Sequence, residues 1–228
     1  MFVMKTKVFG IGFHKTATTS LAKALKYLGY RVTGPNGVDN PNIAKEVYEL
    51  AFKLAKRYDA FQDNPWPILY KALDRKFPGS KFILTLRPSD QWIRSVLRDF
   101  GDEGTPMREW IYGVGRVKGN EDFYIARYER HNREVLEYFK DRSEQLLVLN
   151  ITAGEGWTKL CPFLNEQIPG ISFPRANIAS KREKLPWSKN FWYRKFSRQA
   201  KELLRAFNLI LPLLEIVDLA SRWDEIMF

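Results

Sequence analysis

The sequence predicts an α/β protein in three layers, a parallel sheet with helices on both faces, followed by a helical C-terminal extension. Three observations carry this. Residues 7–21 read as a strand, a tight loop and a helix start. Residues 81–86 (Lys-Phe-Ile-Leu-Thr-Leu) form the kind of apolar run that parallel sheets bury on both faces. Strand-like and helix-like segments alternate along most of the 228 residues.

Taken in order, the first strand is expected over 7–11. Leu21, Ala22, Leu25 and Leu28 recur at helical spacing, and Gly29 ends that helix. Residues 30–33 are a short strand, closed by the turn cluster Gly34-Pro35-Asn36-Gly37. Residues 42–58 are helical, with Ile43, Val47, Leu50, Ala51 and Leu54 on one face. Residues 59–62 are a short strand ending at Asp63-Asn64-Pro65, and a helix opens at Pro67 or Ile68 and runs to about Lys76. The strand over 81–86 ends at Arg87-Pro88-Ser89, and a helix follows through Trp92, Val96 and Leu97. Residues 100–121 hold glycines, Pro106 and Trp110-Ile111-Tyr112, a short helix within a loop. Residues 122–139 are a long amphipathic helix, 145–150 the last strand and 156–164 a further helix. Residues 173–184 are irregular and basic, 187–205 helical and rich in aromatics and cations, and 212–228 a final helix. One domain is expected over 1–228, with a nucleotide-binding core over about 1–185 and the helical extension over about 186–228.

Hydrophobic residues make up 45% and charged residues 28%, which excludes a disordered chain. The net charge of +11 implies an anionic partner. The basic residues are scattered among acids, which argues against nucleic acid. Cys161 is the single cysteine, so an internal disulfide is excluded, and its amphipathic setting predicts a buried thiol. No apolar run reaches the length of a membrane span and no targeting segment precedes the first strand, so a cytoplasmic location is expected.

In parallel sheets ligands bind beyond the carboxyl ends of the strands. His14 to Thr19, Asp63, Arg87 and Asn150 all fall there. The loop from Gly10 to Thr19 directs backbone N–H groups and a helix N-terminus at one spot, which attracts a phosphate. It approaches a nucleotide-binding P-loop, and the fold is expected to be P-loop NTPase-like. In a P-loop a lysine follows the second glycine. Framed from Gly12, that lysine position is Thr18, and the lysine has moved three places earlier, to Lys15. The displacement argues against an ordinary nucleoside triphosphate.

These residues resemble a sulfotransferase that uses 3′-phosphoadenosine 5′-phosphosulfate (PAPS). Lys15-Thr16-Ala17-Thr18-Thr19-Ser20 is similar to the family's 5′-phosphosulfate loop, Lys-Thr/Ser-Gly-Thr-Thr/Ser, with Ala17 where glycine is usual. Arg87 and Ser95 match its 3′-phosphate pair, an arginine at a strand end and a serine eight residues later. Gly154-Glu155-Gly156-Trp157, Phe163-Leu164, Phe173-Pro174 and Asn177 resemble a subgroup of bacterial and eukaryotic sulfotransferases. The resemblance implies that Lys15 follows the leaving oxygen, that Thr16, Ala17, Thr18, Thr19 and Ser20 hold the 5′-phosphate, and that Arg87 and Ser95 hold the 3′-phosphate. It implies PAPS as donor co-substrate and no metal. The family's Gly-x-x-Gly-x-x-Lys segment is absent, leaving Lys181, Arg182 or Lys184 to replace it.

Transfer also needs a base for the acceptor's proton. Family members use a histidine or a carboxylate. Asp63 is the first candidate, and it equally fits a residue that caps the turn at Asn64-Pro65. His14, beside Lys15, is read as positioning the site. His131 is read as a residue of the helix surface or core edge. The acceptor would be a small molecule, a glycan or a lipid, and the C-terminal helices suggest a homo-oligomer. Two other classes stay open: a P-loop kinase with an unusual loop, in which Asp63 serves a magnesium ion, and a non-enzymatic module that binds anions or nucleic acid.

Overall fold

The computed structural model describes residues 5–176. Asn177, Lys181, Arg182, Lys184 and the predicted helices beyond 186 lie outside the described residues. Within them, five strands form one parallel sheet. They are β1 (Val8–Gly10), β2 (Val32–Thr33), β3 (Ala60–Phe61), β4 (Lys81–Thr85) and β5 (Leu146–Leu149), in the order β2-β3-β1-β4-β5. Seven helices are described: α1 (Thr18–Tyr27), α2 (Ile43–Ala55), α3 (Tyr70–Lys76), α4 (Ser89–Phe100), α5 (Pro106–Tyr112), α6 (Glu121–Tyr138) and α7 (Trp157–Leu164). No helix among the described residues is long and apolar enough to cross a membrane.

Side chains alternate across a strand, so each short strand feeds two cores. Val8, Ala60, Ile83 and Leu149 face one side, where Leu21, Ala24 and Leu25 of α1 and Trp157, Leu160 and Cys161 of α7 cover them. Phe9, Phe61, Phe82 and Leu84 face the other, packed with Val47 of α2, Leu73 of α3, Trp92 of α4 and Tyr128 of α6. Phe9 pairs in register with Phe61 and with Phe82, and the ring centroids lie 4.8 and 5.5 Å apart. Fully burying side chains of this size stabilises by about 2–3 kcal/mol each. Both faces are thus covered, which makes the three layers. Cys161 is buried, as its amphipathic setting predicts.

The strands are shorter than expected, β2 by two residues at its start and β3 by one at each end, and the chain turns sharply beyond them. Gly34 (φ 127°) follows β2, and Asp63 (φ 63°) lies two residues beyond β3. The predicted helix start at Pro67 or Ile68 is instead a 3₁₀ turn over Trp66–Leu69, and α3 begins at Tyr70. Prolines at 65 and 67 supply no N–H to an α-helical ladder there. His131 differs from its expected place on a helix surface or core edge. It is 1% exposed, its Nε2 meets the Ile11 carbonyl oxygen at 2.8 Å, and its ring stacks on Phe13 at 4.4 Å. The backbone beyond β1 needs that donor, which draws the imidazole into the core.

From β1 the chain crosses to β2 on one side, returns through β3, and then passes to β4 on the other. The carboxyl end of β1 is therefore the switch point of the sheet, where a crevice opens.

Candidate active site

The loop leaving β1 is held against β4. Ile11 N–H donates to the Ile83 carbonyl at 2.8 Å. Gly12 lies against Thr85 so closely that a Cβ there would overlap its hydroxyl and carbonyl oxygens and sit 2.7 Å from its nitrogen. Thr16 is wholly buried, its hydroxyl donating to the Phe13 carbonyl at 2.5 Å and pairing with Thr85 Oγ1 at 2.6 Å. Its side chain fastens the loop to the sheet, so any contact of Thr16 with an anion falls to the backbone N–H.

Two loop residues are left-handed, Lys15 (φ 65°) and Ala17 (φ 69°). This explains why glycine suits position 17, since an L-residue there costs roughly 1–2 kcal/mol. Ala17 is the N-cap of α1 and gives no side-chain cap, and the first turn of α1 carries no acid. The positive end of the helix dipole is thus left for an anion. Thr19 is exposed on that first turn. Ser20 is buried and its hydroxyl accepts from Ala176 N–H at 3.0 Å, which anchors the end of the described chain beside α1.

Asp63 comes to this loop from β3. Thr18 Oγ1 donates to its Oδ2 at 3.0 Å and Asn64 N–H to its Oδ1 at 2.7 Å. Burial raises the Asp63 carboxyl above its ordinary value, against the opposing pull of the Asn64 N–H, Thr18 and Lys15. A raised proton affinity suits a general base. The capping bond to Asn64 is also present, so both readings of Asp63 describe the same geometry.

His14 is 3% exposed and bonded on both ring nitrogens, to the Asn64 amide at 3.1 Å and the Tyr112 hydroxyl at 3.3 Å. Its carbonyl accepts from Trp92 Nε1 at 2.8 Å. Burial lowers the imidazole to about 3, with Arg108 and then Lys15 adding repulsion. Burial likewise lowers His131 to about 4, with Arg127 adding to it and the Ile11 carbonyl opposing. Both rings are therefore neutral in the fold, whereas unfolded histidine titrates near 6.5. Their contribution to stability is complete above pH 6.5 and is lost as pH falls toward 4 and 3. Between about pH 6 and 4 stability is expected to fall by roughly 2.7 kcal/mol per pH unit, half from each ring. Urea midpoints across that window check this, and His131→Gln, which keeps an N–H for Ile11, should halve the slope.

Arg87 reaches the loop from the end of β4. Tyr128 clamps its backbone, accepting from Arg87 N–H at 3.0 Å and donating to its carbonyl at 2.8 Å, while stacking on Trp92 at 4.3 Å. Arg87 Nη1 makes a long contact, 3.5 Å, with the Lys15 carbonyl, and Arg87 Nε is buried with no hydrogen-bond partner among the described residues. Burial lowers the guanidinium's proton affinity, and the charges of Arg98 and Arg94 lower it further. Ser95, buried on α4, accepts from Arg98 Nη2 at 3.1 Å.

Sequence reasoning did not pick out Arg98 and Asp99. Arg98 Nε donates to Asp99 Oδ1 at 3.2 Å, and Asp99 Oδ2 forms an ion pair with Lys15. Spacings of three and four residues from Ser95 place them on the same stretch of α4, which was the signal available.

The structure thus brings His14, Lys15, Thr18, Asp63 and Arg87 together around one loop, with Ser95 joined to Lys15 through Arg98 and Asp99. The sequence matches the sulfotransferase domain family over residues 7–117 and 104–182. No curated protein matches the chain. The family match covers the loop after β1, Asp63, Arg87, Ser95 and every described strand, and by it the chain belongs to the sulfotransferase domain family.

Proposed function

We propose that this chain moves a sulfuryl group from PAPS to a hydroxyl or amine of an acceptor. The observation that carries the reading is Arg87. Its Nε is buried without a partner among the described residues, two further arginines repel it, and it lies beside the loop lysine. A second anion beside the phosphate loop would satisfy all three conditions. PAPS carries a 3′-phosphate on its ribose besides the 5′-phosphosulfate, and a nucleoside triphosphate does not.

When bound, the donor supplies a sulfuryl group activated by its phosphate leaving group. Arg87 and Ser95 hold the 3′-phosphate, and the N–H groups at the start of α1, with Thr18 and Thr19, hold the 5′-phosphate. Lys15 offers a mobile charge to the oxygen that leaves sulfur. Asp63 takes the proton from the acceptor as its oxygen or nitrogen bonds to sulfur. His14, neutral and fixed by Asn64 and Tyr112, positions the loop.

Transfer of label from sulfur-labelled PAPS across phenols, glycans, lipids and small alcohols tests this reading. Label is expected in at least one class without added magnesium. Magnesium-dependent turnover of ATP with no label transfer would support the kinase reading instead.

A further inference from the structure

Lys15 and Asp99 are 84 positions apart in sequence and form an ion pair. The Asp99 side chain is 5% exposed, so little water shares the carboxylate. Its other oxygen accepts from Arg98 at 3.2 Å, and Arg98 also donates to Ser95 at 3.1 Å. An unbroken line, Lys15–Asp99–Arg98–Ser95, therefore joins the phosphate loop to the arginine-rich face of α4. A negative charge placed within an anion-binding site opposes anion binding. Asp99 thus works against the very ligand that the surrounding cations attract, and a neutral residue would bind that ligand better.

We propose that Asp99 is a positioning residue that acts through Lys15: its carboxylate holds the ammonium, and the anionic donor must take Lys15 from it. This rests on the sulfotransfer reading above. Asp99 orients the lysine and sets a lower affinity for the spent nucleotide, which favours release. Lys15 has the reach for such an exchange, with four rotatable bonds on a backbone held by the loop.

The test is titration of 3′-phosphoadenosine 5′-phosphate onto wild type, Asp99→Asn, Lys15→Ala and the double variant, by calorimetry. Asp99→Asn is expected to tighten binding by about tenfold. The gain should vanish when Lys15 is absent, and Asp99→Glu should restore wild-type affinity. With PAPS, Asp99→Asn should lower both KM and kcat. Unchanged or weaker binding, or the same gain in the Lys15→Ala background, would overturn the proposal. A second readout does not need the nucleotide: reductive methylation of Lys15, followed by peptide mass spectrometry, should be several-fold faster in Asp99→Asn, with Lys7 unchanged, because the carboxylate favours the unreactive ammonium. If wild type binds no nucleotide, the sulfotransfer reading fails, and the labelling alone decides. Faster Lys15 labelling then supports the hold of Asp99 on Lys15, and an unchanged rate refutes it.

Discussion

Lys15→Ala is expected to lower the rate of sulfuryl transfer by about a thousandfold, the upper range for losing one group that stabilises charge in the transition state. The cause is electrostatic. In the proposed transfer the bond from sulfur to the bridging oxygen breaks, and negative charge collects on that oxygen. Lys15 is the cation of the loop, held in the left-handed region (φ 65°) between the buried His14 and the buried Thr16. The substitution also leaves the Asp99 carboxylate without its lysine, although Arg98 still donates to it. That is expected to cost about 1–3 kcal/mol of stability. The assay therefore runs well below the variant's melting temperature, where the chain is folded. A rate within tenfold of wild type would remove Lys15 from the chemistry.

Gly12→Ala is expected to destabilise the fold by more than about 4 kcal/mol, the range reserved for severe overpacking. A Cβ at position 12 meets the hydroxyl, the carbonyl and, at 2.7 Å, the nitrogen of Thr85. Backbone cannot rotate aside as a side chain can. Thr85 also ends β4, two residues before Arg87, and its hydroxyl is paired with Thr16. Relieving the clash would push the phosphate loop away from the arginine, so nucleotide binding should be lost with stability. Urea denaturation checks the first effect. A loss below about 1 kcal/mol would mean that the loop does not rest on β4 as described.

Much of this was legible in the chain. The run at 81–86 is apolar with a β-branched centre, and it became β4 with its end one residue early. The long periodic segment at 122–139 became α6, displaced by one residue at each end. These signals are local, and local periodicity survives packing. What stayed hidden depends on residues far apart in sequence. Nothing near His131 reports that Ile11, 120 positions away, needs a donor. Lys15 adopts the left-handed region (φ 65°), which nothing about a lysine signals. Thr16 looked like a phosphate hydroxyl because its neighbours do, whereas Thr85 claims it. Asp99 lies one helical turn beyond Ser95 on the same side of α4, and its partner Lys15 is 84 positions away in sequence.

In the proposed donor site two phosphate sites adjoin, one at the loop and one at Arg87. Melting of the protein with 3′-phosphoadenosine 5′-phosphate and with adenosine 5′-phosphate, at equal concentration, tests it most directly. The two ligands differ only in the 3′-phosphate. The first is expected to raise the melting temperature by several degrees more than the second, as tighter binding to the folded state requires. Equal shifts would contradict the second phosphate site and, with it, the assignment of the donor.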